Sequence, residues 1–97
     1  MKVRWTRESL IRLREVKSYI SKDNPQAAEK FLDKIINLAE SIKENPEKGR
    51  IVPEITISNI RELLYKNYRI VYIVKKESID ILTVFEGHKL LEKDIIN

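Results

Sequence analysis

The sequence has no cysteine, one histidine and two glycines. Without cysteine there is no disulfide framework, no thiolate zinc site and no thiol nucleophile. His88, standing alone, excludes a multi-histidine metal centre. With only Gly49 and Gly87, there is no glycine-rich loop to cradle a phosphate. No apolar run nears the ~20 residues of a membrane span, and the start carries no signal-peptide pattern. The expectation is a cytoplasmic protein without membrane attachment or small-molecule cofactor. The 97 residues suit a single domain over 1–97. Such a chain buries roughly 60–65% of its unfolded surface, which supports one modest core.

Charge is plentiful and uneven. Residues 1–50 hold 12 Lys and Arg against 8 Asp and Glu, whereas residues 51–97 hold 7 of each. The excess lies near the start, in Arg4, Arg7, Arg12, Arg14 and Lys17. A basic patch suits an acidic protein or a polyanion, and it also suits a solvated helix face.

Residues 1–5 alternate, with Val3 and Trp5 on one side, and read as a strand. Thr6 caps a helix carrying Leu10, Leu13, Val16 and Ile20 at helical spacing, widened by Ile11. Residues 21–24 break that pattern. Asn24-Pro25 opens a second helix with Ala28, Phe31, Ile35, Leu38 and Ile42 on one stripe, and Asn45-Pro46 stops it. The two form a helical hairpin, its first residue near Arg7 and its last near Glu44.

After Gly49 the period falls to two. Residues 55–65, 68–75 and 79–86 read as strands, the first as one piece or as two broken at Ser58-Asn59. Residues 87–97 read as a loop or a short terminal helix. The fold class is α+β, in the order β-α-α-β-β-β, with an antiparallel-dominated sheet packed on the hairpin. Leu13, Ile20, Phe31, Ile35, Leu38 and Ile42 are expected to fill the core.

A longer pattern joins these pieces. It runs from Trp5-Thr6 through Tyr19-Ile20, Asn24-Pro25, Phe31-Leu32, Asn45-Pro46, Gly49-Arg50 and Val52-Pro53-Glu54. It continues through Ile60-Arg61-Glu62-Leu63, Tyr68-Arg69-Ile70-Val71-Tyr72 and Ile81-Leu82-Thr83-Val84 to a glycine–histidine pair. In order and spacing this resembles the RelE/ParE toxin superfamily of type II toxin–antitoxin systems. The resemblance implies a toxin arrested by a cognate antitoxin protein. ParE-like members poison DNA gyrase, and RelE-like members cut mRNA on the ribosome. The hairpin and the Gly-Arg, Val-Pro-Glu and Ile-Arg-Glu-Leu spacing look more ParE-like. Arg69 matches an arginine shared with the ribonuclease branch, where it is catalytic. A relic that only binds its antitoxin is a third reading.

Metal-free RNA cleavage would need a base, an acid and cations for the phosphorane-like charge. The candidates are Arg61 and Arg69 as cations with Glu54 and His88 as proton carriers. Arg50 and Tyr72 are candidates for contact with substrate or target. Arg50, Arg61 and Arg69 are expected to form one cationic platform, with Glu54 and His88 at its rim. The turn at Lys66-Asn67 decides this. Three residues would put Arg61 and Arg69 on one face, and two would put Arg61 with Ile70 and Tyr72.

Overall fold

The computed structural model describes residues 1–87. Its elements are β1 (Lys2–Trp5), α1 (Arg7–Asp23), α2 (Pro25–Ser41), a 3₁₀ turn (Ile42–Glu44), β2 (Arg50–Ile51), β3 (Ile60–Tyr65), β4 (Tyr68–Val74) and β5 (Ser78–Glu86). The five strands make one sheet in the order β1-β5-β4-β3-β2. β1 runs parallel to β5, and the other pairs are antiparallel. The α+β class and the helical hairpin are as expected. The two-residue β2 adds a strand too short to show a period.

Thr6 and Asn24 set the helices. Thr6 accepts the Ser9 N–H at 3.1 Å, and its own hydroxyl donates to the Ile81 carbonyl at 2.9 Å. The cap thus fastens the start of α1 to β5. Asn24 closes α1 with its N–H on the Ile20 carbonyl and opens α2 with its side chain on the Ala27 N–H. One residue therefore separates the helices, and α1 runs through residues 21–23, which the sequence pattern gave to a link. Serine, lysine and aspartate there are exposed or half-buried last-turn residues that need no apolar spacing.

The helix-facing side of the sheet holds the larger core: Leu13, Phe31, Ile35, Ala39 and Ile42 meet Tyr68, Ile70, Tyr72, Ile79, Ile81 and Val84. Ile20 and Leu38 pack at its margin, only partly buried. Leu10 and Ile11 are exposed, and Ser9 takes a core place by bonding its hydroxyl to the Thr6 carbonyl at 2.7 Å.

The opposite side has a smaller core in which Val52 and Ile55 cover Ile60, Val71 and Leu82. Here the expected strand from residue 55 is corrected: the chain turns at 53–55, and strand pairing starts at Ile60. Thr56 has φ of 56°, in the left-handed region, which breaks the extended conformation. Ile55 is apolar because it folds down as a lid on this face. In β5, Tyr72 pairs with Ile81 and Val71 with Thr83, so Leu82 is an extra residue at a bulge.

Candidate functional site

The β3–β4 turn has two residues, because Tyr65 pairs with Tyr68; Lys66 occupies it with φ of 54°. This register pairs Arg61 with Tyr72 and Leu64 with Arg69. Successive residues alternate between faces, so Arg61 lies on the helix side and Arg69 on the other. The expected common platform of Arg50, Arg61 and Arg69 is therefore corrected: Arg61 leaves it.

On the face away from the helices, four charged side chains meet. Arg69 donates from Nε to Glu62 at 2.6 Å and from its two terminal nitrogens to Glu54 at 2.7 Å each. Its guanidinium also stacks over the Phe85 ring, 4.9 Å from the centroid. Arg50 donates from Nε to the second oxygen of Glu62 at 2.7 Å. The Glu62 side chain is fully enclosed and that of Arg69 nearly so, whereas the Arg50 side chain is 55% exposed. Glu54, ahead of Glu62, raises the Arg69 pKa and fixes its charge. Two cations face two carboxylates, so the cluster is close to neutral.

Arg61 and Tyr72 act on the other side of the same edge. The Tyr72 hydroxyl accepts the Gly49 N–H and donates to the Pro46 carbonyl, both at 2.9 Å. Arg61 donates to the Gly49 carbonyl at 2.8 Å and pairs with the Glu47 carboxylate at 3.5 Å. Together they pin the segment that delivers Arg50 to Glu62. A Cβ on Gly49 would stand 2.5 Å from the Glu62 carbonyl oxygen and 2.7 Å from the Tyr72 hydroxyl. Only glycine lets the chain pass that closely. Burial pushes the Tyr72 phenol pKa upwards. Tyr72 has no exposed ring face, so the expected contact with substrate or target is corrected to a core and latch position.

His88 lies outside the described residues. Glu62 is the member that the sequence reading missed as a site residue. Its signal is a lone carboxylate between Ile60 and Leu64 at period two, where the strand's other residues on that side are apolar. Among the described residues, no group of three histidine, aspartate or glutamate side chains could hold a metal ion. Nor, among them, is any helix long and apolar enough to cross a membrane.

Chemically, the cluster is a set of charge-assisted hydrogen bonds between arginines and carboxylates. Both Glu54 oxygens accept from Arg69, and the Arg69 fork is turned onto carboxylates. Arg50 alone among the four presents much surface to solvent.

Known proteins share this fold. A solved structure, the chromosomal ParDE toxin–antitoxin system from P. aeruginosa, superposes with a TM-score of 0.73 at 21% identity, over 89% of this chain and 95% of that one. The YoeB dimer from Staphylococcus aureus superposes with a TM-score of 0.57 at 18% identity, over 86% and 92%. At these identities the likeness concerns the fold. The candidate toxin Y4kP of Sinorhizobium fredii is 36% identical over 90 residues, covering 91% of this chain and 90% of that protein. Residues 3–91 match the family described as ParE toxin of type II toxin–antitoxin system, parDE. The chain belongs to the ParE toxin family, within the RelE/ParE superfamily that its residue pattern resembles.

Proposed function

We propose that this toxin arrests growth by binding DNA gyrase or a similar essential target, and that it does not cut RNA. The observation that carries this reading is the pairing of Arg69. A catalytic arginine must offer its fork to a phosphate as charge builds in the transition state. Here the fork is turned onto Glu54, and Nε onto Glu62. An RNA phosphate would have to displace a carboxylate and would face both of them at close range. Arg61, the second expected cation, is on the far face, holding backbone carbonyls. A binding toxin needs none of these groups at a reacting bond.

The toxin acts in the cytoplasm and is held there by a cognate antitoxin protein. The hairpin suits that partner. Leu10, Ile11 and Tyr19 of α1 and Ile36 of α2 stay exposed, and α1 carries Arg7, Arg14 and Lys17 among them. An acidic, apolar segment would cover both.

The test is expression without antitoxin, followed by purification. Loss of plasmid supercoiling with gyrase present, and transcripts intact, is the expected result. Rapid transcript cleavage with undamaged DNA would overturn the reading in favour of ribosome-dependent mRNA cleavage. Normal growth would overturn it in favour of a relic that only binds its antitoxin.

A further inference from the structure

The loop between β2 and β3, residues 52–59, brings Glu54 to the face away from the helices. Both its ends are anchored. The Val52 N–H goes to the Ile60 carbonyl at 3.3 Å. Asn59 exchanges bonds with Val74, its carbonyl accepting at 2.8 Å and its side-chain amide donating at 3.3 Å. Between the anchors the backbone turns on itself, with the Ile55 and Thr56 N–H groups both on the Val52 carbonyl. Residues 53–56 therefore reach the sheet through side chains: Ile55, which is buried, and Glu54, which takes the fork of Arg69. The closed loop also carries strain. Thr56 has φ of 56°, a region that crowds any side chain and a β-branched one most.

Arg69 has partners of two kinds. Its Nε is on Glu62 and its guanidinium lies over the Phe85 ring, and both partners belong to strands of the sheet. These hold Arg69 in place whether the loop is down or up. Its terminal nitrogens take Glu54, which the loop supplies. A carboxylate set on both arms of a guanidinium has the geometry of a phosphate on the same fork. Lifting the loop also changes the local charge. Arg50 and Arg69 then share Glu62 alone, which leaves one positive charge in excess.

We infer that residues 53–56 are a strap and Glu54 an autoinhibitory contact. Closed, the strap fills the Arg69 fork with the chain's own carboxylate. Lifted, it opens an oxyanion site made by Arg69, with the half-exposed Arg50 beside it. Thr56 sets the balance, because its strain is released when the strap lifts. The inference rests on the reading that this toxin does not cut RNA, and it names the contact that keeps phosphate out.

The test is a magnetic-resonance titration of the isotope-labelled 97-residue chain with inorganic phosphate at constant ionic strength, read at the Nε signals of Arg69 and Arg50. Glu54→Ala should bind phosphate at least roughly tenfold more tightly than the wild-type chain, with shifts at both arginines. Glu54→Gln keeps the bulk of the strap without its charge, and its affinity should fall between the two. Thr56→Gly removes the strain of the closed strap. It should slow exchange of the Ile55 amide roughly fivefold relative to the Val71 amide in β4. Equal phosphate affinity in the wild-type chain and both Glu54 variants, shifts at the basic residues of α1 in place of Arg69, or unchanged exchange in Thr56→Gly would overturn the inference. Those results would leave the reading on RNA standing, since the titration contains none. Transcript cleavage by the wild-type chain would overturn that reading, and the strap as a block with it.

Discussion

The two terminal nitrogens of Arg69 each lie 2.7 Å from a different oxygen of Glu54, and its Nε lies 2.6 Å from Glu62. The carboxylates differ in depth, since the Glu62 side chain has no exposure and that of Glu54 has 18%. Their removal should differ accordingly. Glu62→Gln takes a fully buried charge from beside both Arg69 and Arg50, at a cost of about 3 kcal/mol. Glu54→Gln should cost about 1 kcal/mol, because water reaches the vacated side. Urea unfolding of both variants checks this; equal losses would contradict the assigned depths.

The Gly49–Tyr72 latch gives a second expectation. Gly49→Ala places a methyl carbon against the Glu62 carbonyl oxygen, which is backbone and yields little. The loss should be about 1–3 kcal/mol. Tyr72→Phe keeps the ring but leaves the Gly49 N–H and the Pro46 carbonyl unpaired, with a similar loss of about 1–3 kcal/mol. If the latch delivers Arg50, both variants should also speed amide exchange at Arg50 and Ile51. Unchanged exchange would separate the latch from Arg50.

A third expectation concerns acid. Asp80 accepts Nε and a terminal nitrogen of Arg4 at 3.0 and 3.1 Å and pairs with Lys75 at 2.9 Å. Arg4 holds the Asp80 carboxyl far below the usual carboxylate range, with Lys75 and Ser78 adding to it against the opposing effect of burial. A pKa lowered by folding contributes stability above the unfolded value, near 3.9, and loses it as pH falls towards the folded value. Stability should therefore drop with acid from about pH 4 downwards, and Asp80→Asn should flatten that slope. Thermal unfolding at a series of pH values is the measurement; an unaltered slope would assign the acid sensitivity to other carboxylates.

Phe31 stands between the hairpin and the sheet, edge-on to Tyr68 at 5.0 Å and tilted to Tyr65 at 6.1 Å. Phe31→Ala should cost about 3–5 kcal/mol by cavity formation and the loss of both ring contacts. A loss below about 1 kcal/mol, measured by denaturant, would mean that the hairpin can close over the gap.

Most of the fold was legible because its signals are local. Thr6, Asn24 and Pro25 mark helix ends through bonds within three residues, and the changes of apolar period mark the layers. The failures have one origin in tertiary structure. Leu10 and Ile55 are both apolar, yet one is left on the surface and the other covers the second sheet face. No local rule separates them. The site was legible only as a set of residue types. Arg50, Glu54 and Arg69 were named, but their meeting at Glu62 depends on strand register. A single residue in the Lys66-Asn67 turn decides which arginine faces which way.

The pairing of β1 with β5 has a consequence for when the toxin first exists as a folded molecule. Lys2 is in register with Ser78, and Thr6 is bonded to Ile81. The first strand, the start of α1 and much of the main core therefore wait for a strand whose contact with Thr6 lies 75 residues further along. During synthesis from the N-terminus, the hairpin can form early but has no sheet to rest on. Closing so long a loop comes before most of the reward for closing it, so folding should be late and cooperative. A chain halted before β5 lacks the partner strand of β1 and the share of the main core that Ile79, Ile81 and Val84 supply.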